Sequence, residues 1–181
     1  MKKRIKLNFV LILTVVITSS IFSMNIRGDV SGVWNQAEYI INNDIRVLSG
    51  DTLIIEEGVA VKFNGDYQFE INGSLFVLGI EESIVQFESF RENENWKGII
   101  FCDYNSSIDS SYIRYAEIRD CLDENGGGVS ICEYSNLLME NSLIFDCSAT
   151  FGGGIYINNA SPTIRNTEIN NNYASGSGGG I

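Results

Sequence analysis

The sequence predicts an all-β protein, a right-handed single-stranded parallel β-helix of about six coils. Three observations lead there. Gly126-Gly127-Gly128, Gly152-Gly153-Gly154 and Gly178-Gly179-Gly180 recur 26 residues apart, each followed by a β-branched residue, Val129, Ile155 or Ile181. Other positions keep the same period: Ile118, Ile144 and Ile169 form one column, Asp120, Asp146 and Asn171 a second, and Cys121, Cys147 and Asn172 a third. Upstream, short alternating apolar runs are separated by turn residues. A period of this length marks stacked supersecondary units, and the abundance of β-branched, Asn and Gly residues disfavours helix. Each repeat is then one coil, stacked on the last with parallel strands about 4.8 Å apart.

Taken in order, residues 1–23 form a secretory leader. Lys2, Lys3, Arg4 and Lys6 supply the charged start, Phe9 to Ile17 the apolar segment, and Thr18, Ser19, Ser20 and Ser23 small residues for cleavage. The apolar part is short for a membrane span, and no Cys closes it for lipid attachment; an uncleaved anchor is the alternative. Residues 24–44 are a lead-in that caps the open end of the stack, a place where core and strand edge need cover. Trp34 and Tyr39 are its candidate lids, with an aromatic sugar platform as the second reading. From 45 the β-helix proper begins. Ile45-x-Val47, Leu53-x-Ile55, Val59-x-Val61-x-Phe63, Phe69-x-Ile71, Leu75-x-Val77 and Val85-x-Phe87 each present one apolar face. Gly50-Asp51, Glu57-Gly58, Gly65-Asp66 and Asn72-Gly73 turn the chain between them. Three such strands per coil give a three-sided solenoid. Residues 88–95 are a polar excursion, Trp96 to Phe101 re-enter the stack, and 103–111 form another polar turn. The chain stops at Ile181, just after the third triplet has opened a new strand. The expectation is a β-helix over 45–181 that is incomplete at its C-terminus and continues in a longer protein.

Within the repeats, aliphatic columns pile up inside, and Asp or Asn sits at bends where a short polar side chain satisfies turn backbone. The glycines mark a corner where positive φ or a close backbone approach excludes a Cβ. No helix start and no Lys-Ser/Thr pair follows them, which argues against a phosphate cradle. Across residues 96–181 the Gly-Gly-Gly-aliphatic triplets, preceded by Ile-x-x-Asn or Ile-x-x-Cys, resemble the repeats of the polymorphic outer-membrane protein family. That family lies within the wider class of right-handed parallel β-helices that includes pectate-lyase-like proteins. Its usual forms are Gly-Gly-Ala-aliphatic and Phe-x-x-Asn, so Gly stands here where Ala is usual and Ile where Phe is usual.

Formal net charge is −11, and without the four basic leader residues 8 basic face 23 acidic residues, −15. So acidic a chain is a poor partner for nucleic acid or an anionic membrane, and no membrane insertion of the mature part is expected. The absence of histidine removes Ser-His-Asp, Cys-His and His-ligated zinc chemistry; no cofactor is expected. Cys102 and Cys132 share a column, as do Cys121 and Cys147, and they read as small buried hydrophobes, with disulfides as the alternative in an oxidising compartment. Asp120 and Asp146 fall on adjacent coils near Glu117 and Arg119, with Arg165 on a similar turn. They are the candidate Ca²⁺ ligands, although Asn171 breaks the series and turn chemistry alone accounts for such residues.

The functional expectation is an exported, non-catalytic β-helix: a cell-surface stalk, adhesin or binding passenger, secreted or held at a bacterial surface or outer membrane. Its expected partners are carbohydrate or a host or matrix surface, with end-to-end association through the open C-terminal coil. The alternative is a carbohydrate-active enzyme, a polysaccharide lyase or glycoside hydrolase, whose cleft lies on further coils or on the 88–95 and 103–111 excursions.

Overall fold

A computed structural model describes residues 23–102, 109–134 and 136–181. The leader up to residue 22 and most of the 103–111 turn lie outside the described residues. The chain begins with β1 (Ser23–Asp29) and β2 (Gly32–Trp34), a short lead-in to the stack. A full turn follows in β3 (Glu38–Val47) and β4 (Thr52–Glu56), and another in β5 (Ala60–Phe63), β6 (Phe69–Ile71) and β7 (Ser74–Leu78). The third is β8 (Val85–Ser89), β9 (Ile99–Cys102) and β10 (Ser111–Arg114), and the fourth β11 (Ala116–Arg119), β12 (Val129–Cys132) and β13 (Leu137–Glu140). The fifth contains β14 (Leu143–Phe145), β15 (Ser148–Phe151), β16 (Ile155–Asn158) and β17 (Thr163–Arg165). β18 (Glu168–Asn170) and β19 (Tyr173–Ser177) start a further one. From β3 onward the solenoid makes about five turns, against the six expected.

Most strands stack in three faces, and β15 pairs with β19 in a separate two-stranded ladder. The first runs β1, the start of β3, β5, β8, β11, β14 and β18; the second runs the end of β3, β6, β9, β12 and β16; the third runs β2, β4, β7, β10, β13 and β17. Every strand pairing among the described residues is parallel. β3 turns the corner without breaking, so the first two faces form one continuous sheet. The ladders reach back to Ser23, so the lead-in residues already contribute strands to the stack. Trp34 and Tyr39 stack ring on ring, 4.5 Å between centroids, and both are buried. The Tyr39 hydroxyl accepts the Asn35 and Gln36 backbone N–H groups at 3.0 and 3.3 Å. Both rings are buried and offer no open face to a sugar.

Ladder order follows from alternation: inward residues meet their counterparts one turn away. Ile118 lies opposite Ile144, and Ile144 opposite Ile169. The column extends below through Phe87, Val61 and Tyr39. On the third face Trp34, Ile55, Val77, Ile113, Met139 and Ile164 line up in the same way. The interior members are fully buried, each worth roughly 1.5–3 kcal/mol of transfer free energy. The cysteines also stack. Cys102 is opposite Cys132, and Ser148 N donates to Cys121 O as parallel pairing of Cys121 with Cys147 requires. None of the four is in a disulfide. Asn172 ends the second cysteine column, its amide receiving Cys147 N at 3.0 Å and donating to Ile144 O at 2.9 Å.

The corners explain the remaining columns. Asp120, Asp146 and Asn171 all take positive φ, 61°, 52° and 51°, a conformation Asp and Asn tolerate better than other L-residues. The first glycine of each triplet, Gly126, Gly152 and Gly178, is also left-handed, at 71°, 62° and 71°. In the first two triplets the second and third are glycine for another reason. A Cβ on Gly127 would meet Gly153 O at 2.5 Å and Ser148 O at 2.6 Å; one on Gly128 would meet Ile144 Cγ2 at 2.5 Å. The next coil passes too close for any side chain.

Candidate functional site

Outward positions on the first face carry charge, and they converge at one corner. Alternation turns Lys62 out of β5 and Glu88 out of β8, directly opposite each other. Lys62 Nζ lies 2.9 Å from Glu38 and 3.4 Å from Glu88. On the next turn Arg119 reaches back to Glu88, with its Nε 3.4 Å from Glu117 and its Nη1 3.6 Å from Asp120. Three carboxylates thus surround one guanidinium, and Glu88 is buried despite its charge. Such a group persists only when paired.

Beside this cluster the chain leaves the stack. Glu88 to Asn93, together with Arg119 and Asp120, wall a cleft of about 400 Å³. Asn93 turns it with a left-handed φ of 61°, and Arg91 is held to Glu94 at 3.1 Å. Phe90 stands at the cleft with 41% of its surface exposed. Trp96 brings the excursion back into the core, fully buried, stacked on Phe63 at 4.0 Å and donating its Nε1–H to Arg119 O at 2.8 Å.

Burial raises the Asp120 carboxyl above its usual range, against the pull of Arg119 and of the Ser89 backbone N–H. Burial also raises Glu117, again opposed by Arg119. For Arg119 burial disfavours the charge, but Glu88, Asp120 and Glu117 more than offset it and hold the guanidinium charged. The corner combines acids, a fixed cation and an exposed ring. It is equipped to hold a polar ligand by hydrogen bonds.

The structure brings together some of the residues singled out in the sequence and separates others. Glu117, Arg119 and Asp120 do meet. Asp146 occupies the next corner and accepts a hydrogen bond from Asn171 Nδ2. Arg165 lies on the third face, bound to Glu140 at 2.6–2.7 Å, and Tyr112 donates its hydroxyl to the same carboxylate. Among the described residues no group of three or more His, Cys, Asp or Glu side chains is placed to hold a metal ion. Asp120 lies 3.6 Å from Arg119 Nη1, and Asp146 accepts from Asn171 Nδ2. The sequence reading missed Lys62, Glu88 and Phe90. For Lys62 and Glu88 the available signal was an outward position one residue past Val61 and Phe87, as Arg119 is one past Ile118.

These features define an all-β parallel solenoid with a charged corner cleft. Comparison of the chain with protein-family models, with curated proteins and with solved structures finds no match.

Proposed function

We propose that the chain is an exported, non-catalytic β-solenoid that acts at a cell surface as a stalk, adhesin or binding passenger. The observation that carries the reading is the state of the corner carboxylates: Glu88, Glu117 and Asp120 are all turned onto Arg119. General acid–base work needs a carboxyl free to exchange a proton with substrate, whereas a neutralised, rigid cluster suits recognition. The leader-like start of the sequence, its acidity and its likeness to the polymorphic outer-membrane protein repeats support export and surface display. A secreted or outer-membrane location follows from the same features, with carbohydrate or matrix as partner. The test is direct: fluorescently labelled protein is offered to cells and to immobilised matrix, and separately incubated with neutral and acidic polysaccharides. The reading expects saturable attachment and no new reducing ends or unsaturated products.

A second reading, a carbohydrate-active enzyme of the β-helix class, draws support from the cleft formed by the 88–95 excursion beside Glu88 and Asp120. Polymer cleavage abolished in Glu88→Gln or Asp120→Asn would establish it in place of the first.

A further inference from the structure

We propose that the corner cleft walled by Glu88, Phe90, Arg91, Arg119 and Asp120 binds a neutral sugar unit; the inference rests on the reading of the solenoid as a binding module. The first support is Phe90 itself. Asparagines run up this corner as a ladder: Asn42 Nδ2 donates to Asn25 Oδ1 and Asn64 Nδ2 to Asn42 Oδ1, both at 2.8 Å. The next rung belongs to residue 90, because Phe63 lies opposite Ser89 and Phe90 N donates to Phe63 O at 2.9 Å. An asparagine there would donate to Asn64 Oδ1. With phenylalanine in its place, Asn64 Oδ1 is buried and without a partner, which costs about 1–3 kcal/mol. The half-exposed ring adds little burial in return. A local rule broken at stability's expense beside a cleft is the mark of a functional position.

The second support is the chemistry of the walls, which selects among ligands. Three carboxylates crowd the half-buried Arg119 guanidinium, so an anionic ligand, including a uronate, meets carboxylate repulsion there. A small metal cation would have to displace Arg119 from the same oxygens. A neutral polyhydroxylated ring fits both constraints. Its hydroxyls donate to carboxylates and accept from guanidinium without adding charge, and its C–H face lies on the exposed ring of Phe90. A volume of about 400 Å³ is within the range of small-molecule sites.

Calorimetric titration of the purified chain with cellotriose, mannotriose, N-acetylchitotriose and trigalacturonate tests the proposal. At least one neutral trisaccharide is expected to bind with a Kd of about 1 mM or below, and trigalacturonate about tenfold more weakly or worse. Phe90→Ala is expected to weaken neutral-sugar binding by about tenfold at unchanged Tm, while Tyr173→Ala, an exposed aromatic on the last coil, leaves it intact. Equal or tighter binding of trigalacturonate overturns the proposal, as does a Phe90→Ala variant with wild-type affinity. No binding of any trisaccharide also overturns it. If the protein still attaches to cells in that case, the surface-binding role stands without this site; if attachment is lost as well, both fall.

Discussion

Replacing Gly127 by alanine and Gly179 by alanine makes the same chemical change at equivalent positions of two triplets, yet the stack treats them differently. At Gly127 the new methyl would lie 2.5 Å from Gly153 O and 2.6 Å from Ser148 O. Both obstacles are backbone, fixed by the parallel ladder, so no rotamer change relieves them. Overpacking of this kind costs about 1–3 kcal/mol, reduced by the ~0.4–1 kcal/mol that alanine gains through the unfolded chain. The net expectation is a loss of about 1–2 kcal/mol. With a urea m-value of about 2 kcal/mol/M, the midpoint falls by roughly 0.5–1 M. At Gly179 the same methyl finds only Asn172 O at 3.4 Å, an ordinary contact, and only the unfolded-chain term remains, so the midpoint holds or rises slightly. Gly153→Ala, one coil inward from Gly179 and facing Tyr173 O and Gly179 O, should behave like Gly127→Ala. Far-UV circular dichroism in urea reads all three. A Gly127→Ala midpoint equal to wild type, or equal losses at Gly127 and Gly179, would refute the stacked-corner explanation of the triplets.

Three further outcomes are expected. Phe90→Asn completes the asparagine ladder by supplying the donor that Asn64 Oδ1 lacks, and urea unfolding should show a gain of about 1 kcal/mol; a loss would mean that residue 90 is out of register with Asn64. Asp120→Asn keeps a residue suited to φ 61° and removes a carboxyl whose pKa is raised above the usual 3.8, chiefly by burial. A raised carboxyl favours the folded state while protonated and loses that contribution as pH rises through its folded value. Thermal melts should therefore move in the variant's favour as pH climbs from about 3.8, and a difference independent of pH would contradict the sign. Burial also holds the Cys121 thiol well above its usual 9.0, with Cys147 adding to the effect, so at neutral pH native Cys121 should resist a thiolate-selective reagent until denaturant is added. Rapid native labelling at Cys121 would show that the column is not packed as described.

The repeat columns were legible in the sequence because the coils from Ile113 onward have nearly constant length, so residue number tracks spatial register. Ile118, Ile144 and Ile169 could be aligned from spacing alone, and the structure places them on one ladder. The charged corner was not legible by the same means. Lys62, Glu88 and Arg119 are successive rungs of one face, but the 88–95 excursion and the longer stretch of chain between β9 and β10 make their separations unequal. Register there depends on how much chain each loop absorbs, which periodicity does not encode. The pairing of Arg119 with Glu88 also depends on side-chain reach across turns, whereas spacing alone set Arg165 near Asp120, although it belongs to a different face. The lead-in was hidden for another reason. β1 and β2, which pair with β3 and β4, lack the alternating apolar runs of later coils.

The central claim is that like residues of successive turns touch. Methyl-selective NMR on isoleucine-labelled protein measures this most directly. The account predicts cross-peaks between Ile118 and Ile144 and between Ile144 and Ile169, one rung of about 4.8 Å apart, and a much weaker one between Ile118 and Ile169, two rungs apart. Absence of the first two, or a dominant Ile118–Ile169 peak, would contradict it.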